Sequence, residues 1–92
     1  MRIVWDKNKG LTNARKHGIS FDEAKTVFRD PCALLIADPD HSESEDRFVI
    51  LGLSKAPRLL VVCHCYKEND DTIRIFSARK ATRNEAEFYG GQ

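Results

Sequence analysis

The sequence has no apolar stretch long enough to cross a bilayer. Its longest apolar run, Leu59 to Cys65, is interrupted by His64, whereas a spanning helix needs about 20 such residues. No membrane association is therefore expected. The opening MRIVWDKNKG offers only Ile3-Val4-Trp5 before Asp6, too little for the hydrophobic region of a signal peptide. Cysteine is scarce: Cys32, Cys63 and Cys65 are an odd number and contain no C-x-x-C pair. That argues against a disulfide framework and points to reduced thiols in a cytoplasm. There is also no internal repeat, no linker, no low-complexity tract and no basic tail.

Metal-binding patterns are missing as well. In Cys63-His64-Cys65 adjacent strand residues point to opposite faces, so the imidazole cannot join both thiolates at one tetrahedral ion. Asp38 and Asp40 stand at positions one and three of a calcium loop, but Glu43 replaces the glycine at position six and Val49 the glutamate at position twelve. No metal or other cofactor is expected.

What the sequence does have is an uneven distribution of charge. Lys and Arg number 15 against 14 acids, for a net charge of +1. Five of the acids lie in residues 38 to 46, DPDHSESED, which contain no Lys or Arg; the rest of the chain has 15 cations against 9 acids. A basic surface is thus available outside one acidic loop. With 92 residues and 41% hydrophobic composition, one domain over 1–92 with a modest core is expected.

Ile3-Val4-Trp5 reads as a short strand, followed by a polar helix from Asp6, its N-cap, to His17, with Gly18 as the left-handed residue that ends it. Ser20-Phe21-Asp22-Glu23 is a capping box opening a second helix, whose stripe Phe21, Ala24, Val27 and Phe28 is stopped by Asp30-Pro31. The period then changes to that of strands at Ala33 to Ala37, Arg47 to Leu53, Leu59 to Tyr66 and Ile73 to Ala78. Leu59 to Cys63 is apolar throughout, which predicts a central strand covered on both faces. Thr82-Arg83-Asn84-Glu85 is a second capping box, starting a helix to about Tyr89. The order β-α-α-β-β-β-β-α predicts an α+β layer with helices on a mainly antiparallel sheet.

Strict alternation puts Ile73, Ile75, Ser77 and Arg79 on one face of the last strand and Arg74, Phe76, Ala78 and Lys80 on the other. Both faces mix apolar and cationic residues, which a half-buried strand does not need. Two accounts are open. Either the cations form a rim, with His64 and Tyr66, around an apolar sheet, or the arginines snorkel at strand ends and pair with the acidic loop. Lys16-His17-Gly18 reads first as a helix C-terminus favoured by positive charge.

The segments WDKNKGLTNARKHGISFDEAKTVFRDP, DPDHSESEDRFVILG and RIFSARKATRNEAEFY together resemble the BrnT family of type II toxins, from Ile3 to Tyr89. The resemblance implies a RelE-like fold and a metal-independent endoribonuclease that arrests growth. It also implies a BrnA-like antitoxin with a ribbon-helix-helix DNA-binding part, so that operator DNA is met only through the complex. The sequence departs from the family at Glu85-Ala86-Glu87, where a basic run is common, and this makes the last helix a poorer phosphate holder. Non-catalytic alternatives are a small domain that binds only the antitoxin or only RNA.

With that resemblance, the cations acquire expected roles. Metal-free RNA cleavage needs a base for the ribose 2′-hydroxyl, cations for the charge gathering on phosphoryl oxygens and an acid for the 5′-oxygen. Arg79 and Arg47 are expected to hold the phosphate, because the guanidinium fork pairs two oxygens. Arg74 and Lys80 flank Arg79, and Lys9 and Lys16 track the RNA backbone. His64 is expected as the acid or base, with Glu45 and Tyr89 as alternatives.

Overall fold

The structure is a computed structural model that describes residues 1–37, 47–67, 69 and 71–90. The acidic stretch 38–46, and with it Glu45, lies outside the described residues. The elements are β1 (Arg2–Trp5), α1 (Lys7–His17), α2 (Phe21–Ala24) running into a 3₁₀ turn at Lys25–Arg29, β2 (Leu34–Ala37), β3 (Arg47–Leu53), β4 (Leu59–Lys67), β5 (Thr72–Lys80) and α3 (Arg83–Ala86). The five strands form one sheet in the order β1-β5-β4-β3-β2. Only β1 and β5 run parallel; the other pairs are antiparallel. This is the α+β layer that the sequence predicts. Among the described residues no helix is long and apolar enough to cross a membrane.

The local signals act largely as chemistry dictates. The Asp6 carboxylate accepts from the amides of Asn8 and Lys9 at 2.8 and 3.1 Å, and Gly18 ends α1 at φ 71°, where a residue with a Cβ is strained. Thr82 and Glu85 form a complete capping box. The box at Ser20 is only half made. Its hydroxyl accepts from the Glu23 amide at 3.1 Å, but the Glu23 carboxylate turns instead to Arg58 Nε at 2.9 Å and the Ser54 hydroxyl at 2.7 Å. A second Arg58 nitrogen, Nη2, also meets Glu23. A charge-assisted fork outcompetes one neutral amide, and that pairing holds the Glu23 carboxyl below its usual range. The last helix is shorter than expected: α3 ends at Ala86, and the chain continues in turns to Gly90.

The core lies on one side of the sheet, where Ile50, Leu60, Val62, Ile75 and Ala78 pack against Ile19, Phe21, Ala24 and Val27. Gly52 permits the closest approach. A Cβ there would stand 2.7 Å from Val27 Cγ1 and 2.9 Å from Ala33 Cβ, so the 3₁₀ turn rests on bare strand backbone. As expected β4 is central, but over Leu59 to Cys63 only one of its faces is sealed among the described residues. Leu60 and Val62 are fully buried, whereas Leu59, Val61 and Cys63 are half-buried.

The alternation expected along β5 fails at one residue. Cys63 pairs with Ser77 and His64 with Ile75, which leaves Phe76 as an extra residue opposite β4. Partners directly across a ladder share a face, so the bulge resets the phase. Arg74, Ser77 and Arg79 lie with Cys65, Cys63 and Val61 on the open face, and Ile73, Ile75, Ala78 and Lys80 lie on the helix side. A bulge re-aims side chains in just this way.

Beyond β1, which pairs only with Thr72 to Ile75, the edge of β5 is met by a helix. Asn13 of α1, 7% exposed, donates from Nδ2 to the Ala78 carbonyl at 2.8 Å and accepts from the Ala78 amide at Oδ1 at 3.1 Å. The same Nδ2 donates to the Ile19 carbonyl at 2.9 Å. One side-chain amide thus takes the place of a strand neighbour and leaves the buried edge satisfied.

His64 is fully buried on the helix side, with the rings of Phe28, Tyr66 and Phe48 centred 4.8, 5.3 and 6.2 Å from its own. Nδ1 lies 3.1 Å from the Val62 carbonyl. A carbonyl only accepts, so in the neutral ring Nδ1 carries the hydrogen, and Nε2 has no partner among the described residues. Burial pushes this histidine below its ordinary value against the opposing pull of the Val62 carbonyl. His64, expected as acid or base at a substrate groove, is thus placed in the core beneath these rings with no exposed surface.

Asn13→Ala is expected to destabilise the fold by about 2–4 kcal/mol in denaturant unfolding, since it removes three hydrogen bonds and leaves buried backbone groups unpaired. Asn13→Asp keeps only the acceptor for Ala78 and sets a carboxylate against two carbonyls, so it fares no better. For His64, the unfolded chain takes up its proton near the ordinary value of 6.5, before the folded chain does. Its contribution to stability is therefore complete above that pH and is lost as the pH falls below it. Melting temperature should decline from pH 7 to 5, and the decline should shrink in His64→Phe; an unchanged slope would contradict the assignment.

Candidate functional site

The bulge delivers Phe76 to a gathering of cations. The Arg47 guanidinium lies 4.1 Å from the centre of its ring, the Lys9 ammonium 5.4 Å and the Arg74 guanidinium 5.7 Å. These distances are within cation–π range. Arg47 and Arg74 both pair across to Cys65 and therefore share the open face, while Lys9 reaches in from α1. On the α1 side, Asn8, Lys9, Thr12, Lys16 and His17 line a groove of about 310 Å³ whose other wall is Phe76 and Ser77. An aromatic face ringed by basic groups next to an open groove can stack a base and hold the flanking phosphates.

Four of the expected residues, Lys9, Lys16, Arg47 and Arg74, thus come together here. The sequence reading passed over Phe76 because strict alternation placed it with Ala78 and Lys80. The signal that could have found it is an aromatic interleaved with cations in Arg74-Ile75-Phe76-Ser77-Ala78-Arg79.

The remaining expected residues lie elsewhere. Lys80 does not flank Arg79; it pairs with Leu60 on the helix side, toward the Glu23–Arg58 pair. Arg79 is on the open face, three residues beyond Phe76, and its guanidinium meets Glu85 fork to fork, Nη1 to Oε1 and Nη2 to Oε2 both at 2.8 Å. Nη1 also donates to the Lys80 carbonyl at 3.2 Å. Arg79 pulls the Glu85 carboxyl down to about 2, which leaves a carboxylate with no appetite for protons near neutral pH. Nε of Arg79 makes no hydrogen bond among the described residues, and the side chain is 41% exposed.

Tyr89 is committed too. Its hydroxyl donates to Asp30 Oδ2 at 2.6 Å, and that bond raises the phenol to about 12. At Asp30, burial pushes the carboxyl up, but the Leu53 amide, the Tyr89 hydroxyl and the Cys32 amide together hold it below its usual value. Tyr89 therefore ties the C-terminal turn to Asp30, whose Oδ2 also accepts from the Leu53 amide at the end of β3 at 2.8 Å.

A search of curated protein sequences gives no match. Among solved structures, the crystal structure of the Brucella abortus ribonuclease toxin BrnT is similar in fold, with a TM-score of 0.67 at 22% identity, over 90% of this chain and 99% of that one. The family model described as the ribonuclease toxin BrnT, of type II toxin-antitoxin system, matches residues 5–85. The chain accordingly belongs to the BrnT family of ribonuclease toxins of type II toxin-antitoxin systems, and an antitoxin partner comes with that membership.

Proposed function

We propose that this chain is a metal-independent endoribonuclease toxin that binds single-stranded RNA on the Phe76 platform, cuts it by 2′-hydroxyl attack and so arrests growth. The observation that carries the reading is the Phe76 ring with Arg47, Lys9 and Arg74 within 6 Å of its centre. Aromatic stacking tolerates every base, because each has a π-face, and the cations supply the sequence-independent attraction for phosphate. Arg47 holds the phosphate nearest the ring, with Arg74 beside it, and Lys9 and Lys16 follow the backbone along α1. Arg79 takes part through its Nε–Nη2 edge, since Glu85 fills only the end of its fork; that side-on edge is itself a bidentate donor.

The partner in this reading is a BrnA-like antitoxin with a ribbon-helix-helix part, which neutralises the toxin in the cytoplasm and carries the complex to operator DNA. A second reading, RNA binding without cleavage, draws on the Arg79–Glu85 pair, which takes two of the donors expected on the phosphate.

Cleavage of a single-stranded oligoribonucleotide by the purified chain decides between these readings. It should persist in excess chelator; loss restored by a divalent ion would remove the metal-independent mechanism, and binding without cutting would leave only the second reading. Phe76→Ala should weaken binding by one stacked base, about 1–3 kcal/mol, with Phe76→Tyr close to wild type. Arg47→Ala or Arg74→Ala should each reduce the salt dependence of binding by about 0.7 in log–log slope. Equal slopes for wild type and both variants would remove these arginines from the phosphate contacts.

A further inference from the structure

The groove beside Phe76 contains a histidine that the reading above leaves unused. His17 is the last residue of α1 and half-buried, and it lines that groove together with Lys9, Lys16, Phe76 and Ser77. In a helix the Cα–Cβ bonds tilt toward the N-terminus, so its side chain leans back along α1, over the turn that carries Asn13 and Lys16. Asn13 in turn fixes that stretch of helix against Ala78, one residue beyond Ser77. The residue is thus carried on a rigid element beside the stacking platform.

Among the described residues, three other proton carriers are spoken for. His64 is sealed in the core, Tyr89 donates to Asp30, and Glu85 is locked in the Arg79 fork. Among the described residues, the charged groups around the groove are Lys9 and Lys16 from α1 and Arg47 and Arg74 from the sheet; none is of a type that exchanges protons between pH 5 and 8, as histidine does.

From this juxtaposition we infer that His17 is the general base of the RNA cleavage proposed above, on which the inference rests. Its neutral imidazole takes the proton of the ribose 2′-hydroxyl as the 2′-oxygen forms a bond to phosphorus. The bond from phosphorus to the 5′-oxygen breaks, its electron pair stays on that oxygen, and water protonates it. The products are a 2′,3′-cyclic phosphate and a 5′-hydroxyl, and the imidazolium returns its proton to the solvent. A base lying along the path of the strand, rather than under it, fits a groove that runs from the platform to the end of α1.

The test uses the full chain and two probes, an oligoribonucleotide for cleavage and its 2′-O-methyl analogue, which lacks the nucleophile, for binding. His17→Gln and His17→Ala are expected to lower the cleavage rate about 10²–10⁴-fold. Affinity for the analogue should stay within about threefold of wild type in both variants. The acid limb of the pH–rate profile should disappear, and added imidazole should restore part of the rate of His17→Ala. Should His17→Ala lower the melting temperature, His17→Gln, with a polar side chain of similar reach at the helix end, carries the comparison. A rate for His17→Gln within threefold of wild type overturns the assignment while leaving the endoribonuclease reading intact. So does a loss matched by equally weakened binding, or a rate that imidazole does not raise. A wild-type chain that binds RNA and leaves it whole overturns both.

Discussion

Everything proposed for the groove depends on the clasp between Asn13 and the backbone of Ala78. β1 is too short to cover the whole edge of β5, and a buried edge with unpaired amides and carbonyls is costly. Asn13 satisfies the amide and carbonyl of Ala78 from a helix, not from a strand. The same side chain holds the Ile19 carbonyl, which fixes how the chain leaves α1 through the left-handed Gly18 and enters α2. With α1 set in this way, Lys9, Lys16 and His17 face Phe76 and Ser77 across a narrow space. The clasp is therefore both a structural bond and the device that gives the groove its second wall.

The fold was legible where local chemistry decides it. Asp6, Gly18, Ser20 and Thr82 mark helix ends by their own hydrogen-bonding and backbone preferences, and the change from helical to strand period after Pro31 is a property of residue order. What could not be read depends on neighbours distant in sequence. Glu23 leaves its capping box because Arg58, 35 positions later, offers a stronger partner. His64 resembles a catalytic histidine by residue type alone; its fate was settled by Phe28, Phe48 and Tyr66 closing around it. The four cations that meet at the candidate site were legible as cations, but the ring that gathers three of them was hidden by the bulge.

Two guanidinium–carboxylate forks hold the far end of the sheet. Arg58 with Glu23 binds the turn after β3 to α2, where the Ser54 hydroxyl and the Thr26 hydroxyl, which accepts from the Lys55 amide at 2.8 Å, complete the junction. Arg79 with Glu85 binds β5 to α3, and Tyr89 with Asp30 continues that attachment to the end of β3. Near Phe76 the cations converge on an aromatic ring. Strand-end arginines in this small chain therefore serve different ends, and residue type alone does not say which.

The bulge at Phe76 also bears on how this chain tolerates changes of length. A chain with one residue fewer between Ile75 and Ser77 would restore an unbroken ladder from Thr72 to Lys80, and its strand would alternate as a regular antiparallel strand does. The helix-side residues Ile75 and Ala78, three positions apart across the bulge, would then stand two apart and still share the core face. Insertions are ordinarily accepted in loops and rejected in central strands. Here the extra residue is taken up without changing which residues face the core on either side of it, so the platform ring is an addition to the strand, and its deletion would leave the hydrophobic register behind it in place.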